Sequence, residues 1–252
     1  MPNALRARDL TVTYGGHTAL RAVDLDLPDA AVTAIIGPNG SGKSTLLSAL
    51  AGITPPTAGE VTVLGARPAD RRRRIAFVLQ STVANAAVPL TVRETVRMGT
   101  YGRVGAFGRL GKDDRVAVDG AIERLRIGDL VDRQLVELSG GQRQRAFVAQ
   151  GLAQRADVLL LDEPITGLDL VTQEVIHEVV RNEASDGRAV VLTTHDVGTA
   201  GEADHVVLLA TELIAAGTPA QALQPELLSR AYSGHAHRML DGTLIIDEGH
   251  EH

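Results

Sequence analysis

The chain has 252 residues, 44% hydrophobic and 22% charged, which is enough for one large domain or two small ones around a sizeable core. A net charge of −6 and an aromatic content of 2% exclude a broad nucleic-acid-binding surface, which requires a basic face and stacking rings. The absence of cysteine excludes disulfides and thiolate metal sites, and no run of about 18 apolar residues is present to cross a membrane. The N-terminus carries no basic-then-apolar leader, so a cytoplasmic location is expected. Residues 5–14 (LRARDLTVTY) and 20–28 (LRAVDLDLP) alternate as strands do and are joined by a turn at Gly15–Gly16. The apolar run Val32–Ile36 is followed by a loop rich in glycine and then by a helix expected from Ser44 to Leu50. PPTAGEVTVLG reads as turn, strand and turn, and RIAFVLQ as a short strand ending at Gln80. From Thr91 to about Gln154 the chain is expected to be mostly helical, with apolar spacings of three and four in AVDGAIERLRIGDLV. DVLLLDEP and AVVLTTHD are continuous apolar runs, as in strands buried on both faces of a parallel sheet, with a helix expected between them over 170–185. Strand–helix alternation of this kind predicts an α/β sheet core carrying a helical insertion.

The loop Gly37-Pro38-Asn39-Gly40-Ser41-Gly42-Lys43-Ser44-Thr45 fits the spacing G-x-x-x-x-G-K-[ST]. There, successive backbone N–H groups converge on phosphate oxygens and the following helix presents its positive end to the same anion. Lys43 is expected to reach β- and γ-phosphates and the Ser44 hydroxyl to ligate Mg²⁺. Asp162 and Glu163 close the second apolar run. Because adjacent strand residues face opposite ways, one carboxylate can hold Mg²⁺ while the other orients an attacking water. Leu138–Arg145 (LSGGQRQR) places Ser139 as a helix cap, with Gly140 and Gly141 leaving the first amides open to an anion.

With these motifs in order, the chain resembles the ATP-binding subunit of an ABC transporter over essentially residues 3–225. The correspondence is carried by the phosphate loop Gly37–Ser44, by Gln80 as the Q-loop, and by Ser139-Gly140-Gly141-Gln142 as the signature. Asp162-Glu163 correspond to Walker B, Gly167-Leu168-Asp169 to the D-loop, and His195 to the switch histidine. The resemblance implies an α/β fold with a P-loop NTPase core (RecA-like, mostly parallel sheet), an antiparallel β subdomain and a helical signature subdomain at about 81–154. The ATPase domain would span 1–225 and a tail 226–252. It further implies that Tyr14 stacks on adenine, that Lys43, Ser44 and Thr45 hold phosphate and Mg²⁺, and that Asp162 supports the metal. Glu163 would polarise the attacking water, Gln80 sense metal and water, and His195 contact the γ-phosphate. Two copies would close head to tail over two ATP molecules, each meeting one phosphate loop and the opposite signature. The subunit would sit peripherally on the inner face of the cell membrane against permease subunits, indirectly served by a substrate-binding protein, with no nucleic-acid partner.

The texture of 88–145 resembles the zinc/manganese-uptake branch, a texture shared with siderophore and cobalamin importers. One rival class is an ABC ATPase that moves no cargo, although it usually carries two cassettes or a long coiled coil, and a second is a metal-binding or regulatory module driven by the tail. The helix after the signature departs from the family's Ala-Arg-Ala-Leu by reading Ala149-Gln150-Gly151-Leu152, and Gly151 is expected to cost about 1 kcal/mol of helix propensity. The run Arg71–Arg74 has two readings, a solvated turn or a contact for acidic partners or lipid headgroups. The tail also has two. It can be solvated polypeptide, or a two-residue hairpin turn at Asp241–Gly242 can gather His235, His237, His250 and His252 around Zn²⁺, with Glu248 or Glu251 as a spare ligand.

Overall fold

A computed structural model describes residues 3–79, 89–105 and 108–232, together with the backbone of 236–238 and 244–246. In chain order the elements are β1 (Asn3–Tyr14), β2 (His17–Pro28), β3 (Val32–Ile36), α1 (Lys43–Leu50), β4 (Ala58–Val63) and β5 (Ile75–Val78). The helical stretch follows as α2 (Val92–Met98), α3 (Tyr101–Val104), α4 (Lys112–Arg124) and α5 (Gly140–Ala153). The chain then returns to the sheet with β6 (Val158–Leu161), α6 (Leu170–Ser185), β7 (Ala189–Thr194), α7 (Val197–Gly201), β8 (His205–Ala210) and β9 (Glu212–Gly217). Helices α8 (Pro219–Ala222) and α9 (Pro225–Ala231) and the short strands β10 (Ala236–Arg238) and β11 (Leu244–Ile246) complete it.

Six strands form the main sheet in the order β5-β6-β7-β3-β8-β9, parallel throughout except for the antiparallel edge pair β8–β9. A separate antiparallel sheet has the order β2-β1-β4. The apolar runs are continuous because alternate residues serve two cores. Val32, Ala34, Ile36, Leu159, Leu161, Val190 and Leu192 pack with the helices α2, α4, α5 and α6 on one face. Ile35, Val158, Leu160, Ala189 and Val191 pack with α1 and the antiparallel sheet on the other. A solvated face would have forced polar residues at every second position.

The helical layer begins where hydrogen-bonding side chains satisfy free amides. Thr91 accepts from the Glu94 amide and donates its own amide to Glu94 Oε2 at 2.8 Å, a capping box at the start of α2. It is fastened to the core by Arg124 of α4, whose guanidinium lies 2.5 Å from the buried Glu183 carboxylate on α6. Arg188 pairs with the same carboxylate.

The structure corrects some expected boundaries and locates other features the sequence singled out. Within the stretch expected to be mostly helical, the run of helical spacing at 117–131 leaves α4 at Arg124, since Arg126 takes a left-handed φ of 52° and a 3-10 turn follows at Gly128–Leu130. The strand expected to reach Gln80 stops at Val78. Gly151 is a packing requirement: a Cβ there would come 2.6 Å from Val78 Cγ2 and 3.4 Å from Leu159 Cδ1. The arginine run lies on a surface 3-10 helix, Pro68–Arg74, in which Arg74 bonds Asp157 Oδ2 at 2.7 Å. In the tail, β10 and β11 pair antiparallel as expected. Arg238 faces Leu244, however, a register one residue away from that set by a two-residue turn at 241–242.

Candidate active site

Parallel register brings three loops to one edge of the sheet. Ile36 pairs with Thr194 and Leu161 with Leu192, so the loop after β3, the carboxylates after β6 and the end of β7 lie side by side at the carboxyl ends of neighbouring strands. Open α/β sheets bind their ligands at such an edge.

The phosphate-type loop is held from both sides. Thr211 donates its amide to Ser41 O at 2.9 Å, and Gly42, at φ 96°, would bring any Cβ within 2.5 Å of Ala19 O on β2. Only glycine fits both the left-handed backbone and that approach. Lys43 is buried and its ammonium donates to the carbonyls of Gly37 at 2.8 Å and Pro38 at 3.0 Å, which places its charge over the mouth of the loop. The Ser41 hydroxyl is buried and makes no hydrogen bond among the described residues, as a donor awaiting an anionic oxygen would be. Asn39 and Gly40 at the tip are exposed, Pro38 and Thr45 half-buried. Positive ammonium, convergent amides and the N-terminus of α1 suit a phosphate chain.

Across from the loop, the Ser44 hydroxyl donates to Asp162 Oδ1 at 3.0 Å. A hydroxyl beside a buried carboxylate is a hard-oxygen donor set, and it fits Mg²⁺. Glu163 follows with φ 44°, a left-handed conformation that costs a non-glycine residue about 1 kcal/mol. The division between the two carboxylates therefore does not come from strand alternation, because β6 ends at Leu161 and Glu163 turns out of the extended backbone. Thr193 bridges the two residues, donating to Asp162 Oδ1 at 2.7 Å and accepting from the Glu163 backbone amide at 2.8 Å. Sequence reading passed over this residue. Its signal was a pair of hydroxyl residues, Thr193 and Thr194, ending an otherwise apolar run.

His195 is exposed just after β7 and is not a packed core residue. Tyr14 is 49% exposed, its hydroxyl 3.2 Å from Thr54 Oγ1, leaving a ring face to solvent. Ser139 caps α5 by accepting from the Gln142 amide at 3.3 Å, and Gln142 Oε1 accepts the Ser139 amide in return. Gly140 is exposed, whereas Gly141 is buried against Asp169 and Thr172, where a Cβ would meet Thr172 Oγ1 at 2.9 Å. Asp169 caps α6 through the Thr172 amide and hydroxyl at 2.9 and 2.8 Å, and these bonds hold its carboxyl below the usual range. The signature turn and the loop before α6 thus back onto one another. Gln80, His235, His250 and His252 lie outside the described residues, as does the side chain of His237.

Comparison with known proteins agrees with this geometry. The family model described as ABC transporter matches residues 20–166. The zinc transport system ATP-binding protein TroB of Treponema pallidum is 40% identical over 232 residues, covering 92% of this chain and 87% of TroB. The manganese transport system ATP-binding protein MntB of Bacillus subtilis is 34% identical over 244 residues, covering 96% and 97%. A dimeric bacterial ABC transporter cassette superposes with a TM-score of 0.75 at 27% identity, over 85% of this chain and 98% of that one. A phosphate-type loop, paired carboxylates and a capped signature helix, within a chain so similar to these relatives, place the protein in the ABC transporter family as an ATP-hydrolysing subunit that uses ATP and Mg²⁺.

Proposed function

We propose that this ATPase powers the import of a divalent metal ion of the zinc or manganese class. The observation that carries the reading is the joint presence of the Lys43–Ser44–Asp162 edge and a 40% identical relative named for zinc transport. Mg²⁺, when bound, neutralises charge on the β- and γ-phosphates. Ser44 and Asp162 would hold it, with Gln80 as a further ligand. The loop from Gly37 to Thr45 cradles the phosphates through its amides and Lys43, and Tyr14 stacks on the base. Glu163 orients the attacking water and takes up its proton, and His195 contacts the γ-phosphate.

Two copies pair head to tail, so that Ser139, Gly140, Gly141 and Gln142 of one complete the site of the other. The exposed Leu170 and Val171, at 82% and 66%, lie beside that surface. No helix among the described residues is long and apolar enough to cross a membrane. In this reading the work of closure is delivered to permease subunits at the inner face of the membrane, fed from outside by a substrate-binding protein. ATP-driven uptake of radiolabelled Zn²⁺ or Mn²⁺ into vesicles holding this subunit and the permease encoded beside it tests the reading. Uptake of chelated iron alone would reassign the cargo, and absence of any permease partner would favour a non-transport ATPase. The tail histidines are offered as Zn²⁺ ligands, tested by calorimetric titration of the full chain against one ending at Gly234.

A further inference from the structure

Two consecutive threonines end β7, and their side chains do different things. Thr194 Oγ1 accepts the Asp196 amide at 3.0 Å and so shapes the turn that carries His195. Thr193 faces the other way, as strand alternation requires, and is fully buried against the Asp162 carboxylate and the Glu163 backbone amide. Its hydroxyl has one proton to give and gives it to Asp162 Oδ1 at 2.7 Å. Its lone pair takes the Glu163 amide at 2.8 Å. One atom therefore sets the rotation of the Asp162 carboxylate and fixes the first bond of the left-handed turn that aims Glu163. Leu161 and Leu192 are paired in the sheet, so Thr193 is the β7 residue next in register to Asp162 and keeps this position through the strand pairing itself. Ser44 shares the same carboxylate oxygen at 3.0 Å, which links the pair to the phosphate loop.

We propose that Thr193 is a positioning residue that couples the metal-holding carboxylate to the water-orienting one, so that Mg²⁺ affinity and turnover are tuned by one buried hydroxyl. The inference rests on the assignment of Asp162 to the metal and Glu163 to water made above. Groups that hydrogen-bond a ligating carboxylate change metal affinity or activity by about 10- to 100-fold when removed. Valine at 193 keeps the shape and deletes the hydroxyl; serine keeps the hydroxyl and deletes only a methyl.

The test is a Mg²⁺ titration of binding of a methylanthraniloyl-ATP probe to the full chain, alongside kcat, KM for ATP and the melting temperature. For Thr193→Val the Mg²⁺ midpoint should rise about tenfold and kcat fall with KM for ATP nearly unchanged, and Thr193→Ser should restore both. A residue that only filled space would lower the melting temperature and leave the Mg²⁺ midpoint alone. Should the valine chain fail to fold, Thr193→Ser against Thr193→Ala gives the same comparison. Asp162→Asn serves as the reference. If it shifts the midpoint and Thr193→Val does not, the positioning role is overturned while the site assignment stands. If Asp162→Asn itself leaves the midpoint unmoved, the metal assignment falls, and the role of Thr193 with it.

Discussion

Gly151 of α5 and Val78 of β5 lie so close that a single Cβ on the glycine would come 2.6 Å from Val78 Cγ2. Valine is stiff at χ1 and cannot swing its methyl aside cheaply. Helix propensity alone makes Gly151→Ala a gain of about 1 kcal/mol. Overpacking against the strand costs about 1–3 kcal/mol, so the expected result is a net loss near 1 kcal/mol. Urea denaturation of the two chains decides the sign. A more stable alanine variant would mean that α5 can retreat from the sheet.

Replacing Glu163 by Gln should leave ATP binding intact and lower turnover by about 10²- to 10⁴-fold, because an amide cannot take up the proton of the attacking water. The Thr193 hydroxyl holds the backbone amide of this residue, so the turn survives the substitution. The variant should also accumulate as an ATP-bound dimer on size exclusion. Turnover within a few-fold of wild type would remove Glu163 from the chemistry.

The split site can be tested with complementary defects. A Cβ at Gly140 meets nothing within 4 Å, so Gly140→Asp should fold normally while setting a carboxylate where a partner's γ-phosphate must come. Neither Gly140→Asp nor Lys43→Ala alone should pair in ATP. Mixed together they should, because the mixed dimer keeps one site with an intact loop from one copy and an intact signature from the other. Mixtures that stay monomeric across all ratios would argue against the head-to-tail arrangement.

His205 at the start of β8 has a buried Nε2 without a hydrogen-bond partner among the described residues, and burial lowers its pKa from the ordinary 6.5. The folded state thus binds this proton less readily than the unfolded chain. Its contribution to stability is complete above pH 6.5 and is lost as pH falls through the lower folded pKa. Urea midpoints should accordingly decline on acidification below neutrality, and His205→Leu should flatten that decline. An unchanged slope in the leucine variant would assign the pH dependence to other groups.

Much of this protein was legible in one dimension because its signals are local. Glycines at a fixed spacing before a lysine make a phosphate loop, serine three residues before glutamine makes a capping box, and a run buried on both faces needs no polar alternation. Asp162, Glu163, Ser139 and the strand–helix order could all be read in this way. The juxtaposition of Thr193 with the Asp162 carboxylate and the Glu163 amide could not, because it arises from parallel register between β6 and β7, and sequence carries no direct record of register between distant strands. The sign of Gly151 was hidden for a similar reason. Propensity is a property of one helix, whereas the contact with Val78 exists only once that helix lies on the sheet. Tail pairing was visible as alternating residues around a turn, yet its register, shifted by one, was set by the paired strands. Sequence by itself determined the phosphate loop, the strands that flank it and the order of the motifs, but not β8 and β9 at the sheet's far edge. Tertiary packing decided which atoms meet, because distances between residues far apart in the chain are fixed only when the two cores close on the sheet.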